Sequence, residues 1–454
     1  MNKAPGGGRA AAPARPGAAV STDSYLPEHG NGGYRTVRYD LELDFRPSAD
    51  RLSGRARISA VTEHALSEFS LDLGAFRIDR VLVDGKRPAR YTHRAGKLRV
   101  RPARELPAGT PFTVEVRYVG TPRPIRSRYW GDLGWEPLEY GALVAAQPIG
   151  APSWFPCNDH PSDKAVYRIT VTAPSVCTVL ANGTLESCTI GGSTTTWVYE
   201  QRAPMASYLA SVQIGPYELV EHLGGPIAQP AAVPAGLLAP FAHDFGRQPE
   251  MMELFQDLFG PYPFDDYAVV VVDEELEVPV EAQALSVFGA NHIDGRRGFE
   301  RLVAHELAHQ WFGNSLTLAD WRHIWLNEGF ACYAEWLWSE AAGGAPASVL
   351  ATRAHTRLAG LPQDLRLADP GVRRMFDDRL YKRGALTLHA LRTTMGDTAF
   401  FALLRTWTSQ HRHRTVTTEQ FTALAQEYTP RPLDALFAAW LREPRLPALP
   451  RPGD

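Results

Sequence analysis

The stretch Arg301-Leu302-Val303-Ala304-His305-Glu306-Leu307-Ala308-His309-Gln310-Trp311 limits what this chain can become more than any other. It holds no Gly or Pro, and Leu302, Val303, Ala304, Leu307 and Ala308 suit a buried helix. Residues four apart share one helix face, so His305 and His309 aim their rings at a common point. That is the pair of nitrogen ligands a tetrahedral zinc takes from one rigid element. Glu306 lies about 100° further round the helix. It falls beside such a metal, where a general base for attacking water belongs. With 14 His in 454 residues, the five-residue pattern arises by accident in roughly a few per cent of such chains, so a third ligand is required.

Trp325-Leu326-Asn327-Glu328-Gly329-Phe330-Ala331 supplies one. Glu328 lies 19 residues after His309 and opens a second apolar, helix-like run through Phe330, Tyr333, Ala334, Trp336 and Leu337. Alone it reads as a helix-start carboxylate. Coupled to the histidines it completes a His2Glu set with one position left for water. Glu335, seven residues or two turns further on, shares its face. It is placed to accept a hydrogen bond from the far nitrogen of a zinc histidine and fix its tautomer; the plainer reading is a surface carboxylate.

The rest of the composition is ordinary: 44% hydrophobic, 21% charged, formal net charge −3. No basic block points to nucleic acid or an anionic membrane, and no apolar run approaches the ~18 residues of a spanning helix. Residues 1–22 are rich in Ala, Gly and Pro without the apolar core of a signal peptide, and are expected to be a disordered head. Cys157, Cys177, Cys188 and Cys332 are too scattered for a disulfide scaffold or a Cys-zinc site. Cys177 and Cys188 flank an expected hairpin and can pair there, but reduced thiols in a cytoplasmic, monomeric protein are the expectation.

From Tyr34 the pattern is β. Val37, Tyr39, Leu41, Leu43 and Phe45 alternate with charged residues as a half-buried strand. Ala56-Ile58-Ala60, Phe69-Leu71-Leu73 and Phe112-Val114-Val116-Tyr118 repeat it, and Asp84-Gly85 and Asn182-Gly183 read as tight turns between strands. Residues 23–219 are therefore expected to be an all-β, sandwich-like domain. Near residue 220 the regime changes. Phe241 to Phe259 suits one helix ended by Gly260-Pro261, Ala268 to Val272 is a short buried strand, and an acidic segment runs from Asp273 to Glu281. Residues 220–445 are expected to be a mainly helical catalytic domain and 446–454 a Pro-rich tail. Phe400–Arg412, Thr418–Tyr428 and Leu433–Leu441 read as amphipathic helices.

His305-Glu306-x-x-His309, Asn327-Glu328-Gly329-Phe330-Ala331, Gly260-Pro261-Tyr262-Pro263-Phe264 and Trp154-Phe155-Pro156-Cys157, in this order and spacing, resemble the M1 zinc aminopeptidases of the gluzincin group. The likeness covers roughly residues 23–445. It implies an N-terminal β saddle packed on a thermolysin-like catalytic domain that binds one zinc ion. Larger relatives add a C-terminal helical domain; this sequence is expected to be a short form without it, with a more open cleft.

The resemblance also assigns roles. Family members hold the substrate's free amine with a glutamate 24 residues before the first zinc histidine, which here is Glu281. Gln147 matches the residue that assists from the β domain, and Tyr381 matches the tyrosine whose hydroxyl stabilises the oxyanion. Read without the family, Glu281 belongs to an acidic loop, Gln147 is a surface amide and Tyr381 a helix-start aromatic. One departure stands out: Val278 and Pro279 replace the small residues that relatives carry before the glutamate, and Ala282 replaces an Asn. The subsites beside the substrate backbone are therefore expected to differ. The expected activity is removal of one residue from a peptide's free N-terminus. A zinc endopeptidase of the same fold, or a zinc-stabilised peptide-binding protein without turnover, are the alternatives.

Overall fold

A computed structural model describes residues 13–221 and 225–451. Alternating strands build the N-terminal half. Its main sheet has seven strands in the order Thr184–Gly191, Thr194–Met205, Ala165–Pro174, Tyr34–Arg46, Arg51–Thr62, Pro111–Gly120 and Arg77–Val83. All neighbours are antiparallel except Ala165–Pro174 against Tyr34–Arg46. A five-stranded sheet containing Gly131–Leu138 and Gly141–Ala145, and a four-stranded sheet containing Leu66–Asp72, close the apolar interior. The Trp154–Cys157 segment is fully buried there, with Tyr118 donating to the Trp154 carbonyl at 2.8 Å.

Several local expectations are corrected. A bulge between Thr36 and Arg38 adds Val37 as an extra residue, so Val37 is 40% exposed and Thr36 turns inward. Asp163 rewards that turn by accepting from the Thr36 amide and hydroxyl at 2.9 and 2.8 Å. Asp84-Gly85 is the expected two-residue turn, with both φ angles positive. Asn182-Gly183 is not a hairpin: Thr178–Ala181 before it lies in the five-stranded sheet and Thr184–Gly191 after it in the seven-stranded one. The crossing needs Gly183, because φ is +88° and a Cβ there would meet the Glu200 carbonyl oxygen at 2.3 Å. Cys177, just before the strand Thr178–Ala181, and Cys188, within Thr184–Gly191, therefore belong to segments of different sheets, and all four cysteines are free.

Residues 1–12 lie outside the described residues, but 13–22 do not form a loose head. Arg15 and Gly17 donate backbone hydrogen bonds to Ala65 and Glu68. The segment continues as a strap to the second half, where Asp23 accepts from the Trp321 amide at 2.9 Å and the Tyr25 hydroxyl donates to Asp369 at 2.5 Å.

The second half holds a sheet of five strands in the order Tyr217–Val220, Ala231–Pro234, Ala268–Val272, Leu285–Gly289 and Val280–Ala282. Tyr217–Val220 already pairs with this sheet, so the junction expected at 219–220 falls inside a strand. The single helix expected over 241–259 is two, Leu238–Asp244 and Gln248–Phe259. Gly246 and the Pro at the second helix's N-terminus favour the break. The Asp244 carboxylate also turns away to accept from the amides of Asp294, Gly295 and Arg297. Helices follow at Glu300–His309, Trp325–Ala341, Ala347–Ala359, Asp378–Met395, Asp397–Gln410 and Thr418–Glu427. Beyond them, Asp434–Phe437 runs into a wider π turn at Ala438–Arg442. Among the described residues no helix is long and apolar enough to cross a membrane.

Candidate active site

Residues Val303 to His309 are all buried, so the helix Glu300–His309 is packed on every side at its C-terminal end. Its next neighbour, Trp325–Ala341, is buried from Trp325 to Trp338. Packing these two elements brings His305 Nε2 and His309 Nε2 each to 3.5 Å from Glu328 Oε2. Both histidines point Nε2 at this spot because Nδ1 is engaged behind: His305 Nδ1 lies 2.8 Å from Glu335 Oε1, and His309 Nδ1 3.0 Å from the Phe312 carbonyl. Glu335 is therefore 6% exposed and not a surface group. Its other oxygen faces Arg301 at 3.4 Å and Lys382 at 3.7 Å. Two imidazole nitrogens and a carboxylate oxygen, within 4.8 Å of one another and oriented from behind, fit a zinc ion.

Two glycines set the depth of this arrangement. A Cβ built on Gly329 would meet the Gly384 Cα at 2.8 Å, and one on Gly384 would meet the Gly329 Cα at 2.6 Å. The backbones of Trp325–Ala341 and Asp378–Met395 therefore touch where the first carries Glu328 and the second carries Tyr381, in its first turn. Asp377 caps that turn by accepting from the Arg379 amide. The Tyr381 ring lies 6.1 Å from the His305 ring at 17° between planes.

Glu281 sits on the edge strand Val280–Ala282, a place that hydrogen bonds from the Glu300–His309 region secure. Gln310 and Asn314 donate to the Ala282 carbonyl at 3.2 and 2.9 Å, and Gln310 Oε1 accepts from the Ala284 amide at 2.8 Å. Gln310 and Asn314 had no role in the sequence reading. The only available signal was that Gln310 directly follows the histidine motif. From the β half, Gln147 Nε2 donates to Glu281 Oε1 at 2.5 Å. Lys164 Nζ donates to the carbonyls of Asn314 and Ser315 and so ties the same corner to the β half. Val278 is 63% exposed while Pro279 is buried beside Glu281.

Ligand atoms of Glu281, Glu306 and His309 also lie within 4.8 Å of one another. Glu306 is 3% exposed, and its Oε2 is buried without a hydrogen-bond partner among the described residues. Four buried carboxylates thus surround two imidazoles, a pocket that calls for cationic charge. Burial pushes the Glu306 carboxyl up to about 7 against the pull of the two histidines. Burial also works to raise Glu328, but there the histidines prevail and hold it at about 2. The Tyr381 phenol is raised by burial and by Glu328, Glu281 and Glu306, so it stays protonated and able to donate.

The N-terminal model of peptidase family M1 matches residues 35–209, and the family M1 domain matches 243–440. The fold superposes on the crystal structure of an M1 zinc metallopeptidase from Deinococcus radiodurans with a TM-score of 0.86. The two are 32% identical, over 95% of this chain and 99% of that one. That protein, as a variant, has also been crystallised with a Tyr-Ser-Ala substrate. Aminopeptidase M1-D of Oryza sativa subsp. japonica is 24% identical over 91% of this chain, which spans only 50% of the rice protein. Leucine aminopeptidase 2 of Eremothecium gossypii is 26% identical, over 95% of this chain and 71% of that protein. A β-rich half followed by a helical half, with both family models matched in sequence, makes this chain a member of peptidase family M1.

Proposed function

We propose that the protein is a zinc aminopeptidase, cleaving the first peptide bond of peptides with a free N-terminus. One observation carries this reading: the carboxylate of Glu281, steadied by Gln147, lies within reach of Glu306 and His309 on the wall of a His2Glu metal site. An ammonium paired with Glu281 puts the bond one residue in beside Glu306, and a blocked terminus loses the pairing.

His305, His309 and Glu328 would hold the zinc. Bound there, zinc supplies Lewis-acid chemistry, making water more acidic and a carbonyl more electrophilic. Glu306 accepts the proton of the attacking water and delivers it to the leaving amine. Tyr381 donates its hydroxyl hydrogen to the oxyanion as the carbonyl becomes tetrahedral. We read the enzyme as cytoplasmic and monomeric; four free cysteines suit a reducing compartment.

The test is a panel of aminoacyl amides, each beside its N-acetylated twin, with and without chelator. Free-amine substrates alone should be cut, reversibly dependent on zinc. Cleavage of acetylated substrates at internal bonds would show an endopeptidase instead. Zinc bound in full with nothing cut would show a binding protein. Within the panel, Glu281→Ala should lower kcat/KM on free-amine substrates by about 10²-fold or more. An unchanged kcat/KM removes Glu281 from amine binding.

Glu335→Gln offers a separate check on metal binding. It keeps the shape but gives His305 a weaker acceptor, so zinc affinity should fall about 10–100-fold. Competition against a fluorescent chelator measures it, and an unaltered zinc Kd would leave Glu335 with a packing role only.

A further inference from the structure

The helix Asp378–Met395 carries Tyr381 in its first turn, and the three residues that follow fasten it in place. Lys382 Nζ donates to Cys332 Sγ at 3.1 Å, and Gly384 lies against Gly329, so both hold the neighbouring helix Trp325–Ala341. Arg383 sits about 100° round the helix from each of them, on the side away from that neighbour. It is 4% exposed. Its Nε donates to the Trp440 carbonyl at 3.0 Å, and Nη1 to the carbonyls of Leu365 and Pro444 at 2.9 and 2.7 Å. Nη2 donates to the Ala439 carbonyl at 3.2 Å and to that of Glu443.

Main-chain carbonyls thus satisfy all five N–H donors, and among the described residues no carboxylate pairs with the group. Ala439 and Trp440 belong to the π turn Ala438–Arg442, and Glu443 and Pro444 follow it directly. Carbonyls at the end of a helical segment lack partners within it, and a cation placed there is favourable. Pro444 has no N–H to offer them. Burying a guanidinium without a carboxylate is still costly, and burial pulls this one down to about 10. An aliphatic side chain would pack there at lower cost. What the guanidinium adds is orientation, because five donors in a rigid plane fix one geometry.

That geometry bears on Tyr381. Two residues back is about 200° round the helix, so Tyr381 projects nearly opposite to Arg383. It projects towards His305, with 6.1 Å between the two rings. Arg383 therefore holds the helix from behind the tyrosine, while Lys382 and Gly384 hold it from in front. We infer that Arg383 is a positioning residue for the proposed reaction: clamped by the carbonyls of residues 439–444, it sets the depth at which the Tyr381 hydroxyl enters the site. A donor to an oxyanion must be held within about 0.5 Å of its productive place. The inference rests on Tyr381 as the oxyanion donor and extends that role to a distant segment of the chain.

A double-mutant cycle on the zinc-loaded enzyme tests it. Arg383→Lys keeps a cation but reaches fewer carbonyls. It should lower kcat on a leucine amide about 5- to 30-fold, with KM and zinc Kd little changed. In a Tyr381→Phe background the same substitution should cost less than about twofold, because no hydroxyl remains to be placed. Pro444→Gly loosens the turn that presents the Glu443 and Pro444 carbonyls, and should show the same coupling with a smaller loss of about 2- to 5-fold. A residue that only supports folding would lower Tm and reduce kcat by the same factor in both backgrounds.

Equal factors in the two backgrounds overturn the inference, as does an Arg383→Lys enzyme with the parent's kcat. If Arg383→Lys does not fold, the Pro444→Gly cycle decides on the same terms. If Tyr381→Phe turns over as the parent does, the oxyanion reading fails and the inference falls with it. If the parent cuts nothing, the aminopeptidase reading has failed, and the cycle is then read in the Kd of a tetrahedral phosphonamidate. Coupling between the two positions supports the inference there, and additivity overturns it.

Discussion

Glu306→Gln is expected to lower kcat on aminoacyl amides by about 10²–10⁴-fold while the protein still binds a full complement of zinc. Glutamine keeps the length and shape of the side chain, and none of the three side chains proposed to hold zinc is altered. What disappears is a carboxylate that is 3% exposed and has one oxygen without a partner. Its packing is already provided by the buried helix around it. In the proposed mechanism that carboxylate takes the proton of water, and a neutral amide in either orientation is too weak a base to replace it. Substrate affinity should move much less than kcat, because the proposed amine anchor, Glu281 with Gln147 donating to it, lies on other elements. Stopped assays for kcat, paired with metal analysis of the same sample, measure both quantities. Near-normal turnover would remove Glu306 as the base. Loss of zinc together with turnover would mean that the carboxylate maintains the metal site instead.

The ease of reading each part of this site from the sequence follows the range of the interactions. His305, Glu306 and His309 lie within one and a half turns of a helix, so spacing alone shows what they share. Glu328 and Glu335 sit on a second helix; their relation to each other is legible, and their relation to His305 needed the coupled motifs. Glu281 and Gln147 are 134 positions apart and meet across the two halves of the molecule. No local pattern reports such a pair, and only the resemblance to a family pointed to it. Gly329 and Gly384 were passed over for the same reason: that two helix backbones touch is a property of their packing, not of either helix.

In the β half the errors have a different source. Alternation correctly marks strands, since one face is buried, but it cannot see a bulge that inserts Val37 and reverses its direction. Asn182-Gly183 has the composition of a hairpin turn, yet the chain uses it to leave one sheet for another. There the Asn side chain serves tertiary bonds, donating to the carbonyls of Leu209 and Gln283 and accepting from the Ser211 amide. Turn chemistry specifies the backbone angles at such a dipeptide; it does not specify what the following strand pairs with.

Tyr381→Phe is expected to lower kcat by about 10²–10³-fold with little change in KM or zinc content. The ring packs 6.1 Å from His305, nearly parallel to it, and phenylalanine preserves that contact. The helix start is capped by Asp377, and the close approach at Gly384 fixes the backbone, so the substitution leaves the frame in place. Only the hydroxyl is removed, in a pocket where burial and three nearby carboxylates keep it protonated. A donor aimed at a group that gains charge during reaction stabilises the transition state more than the bound substrate. The loss should therefore appear in kcat and kcat/KM alike, and a tetrahedral phosphonamidate inhibitor should weaken by a similar factor while a simple product amino acid binds as before. Equal weakening of inhibitor and product would make the hydroxyl a general binding contact; unchanged kcat would take Tyr381 out of the chemistry.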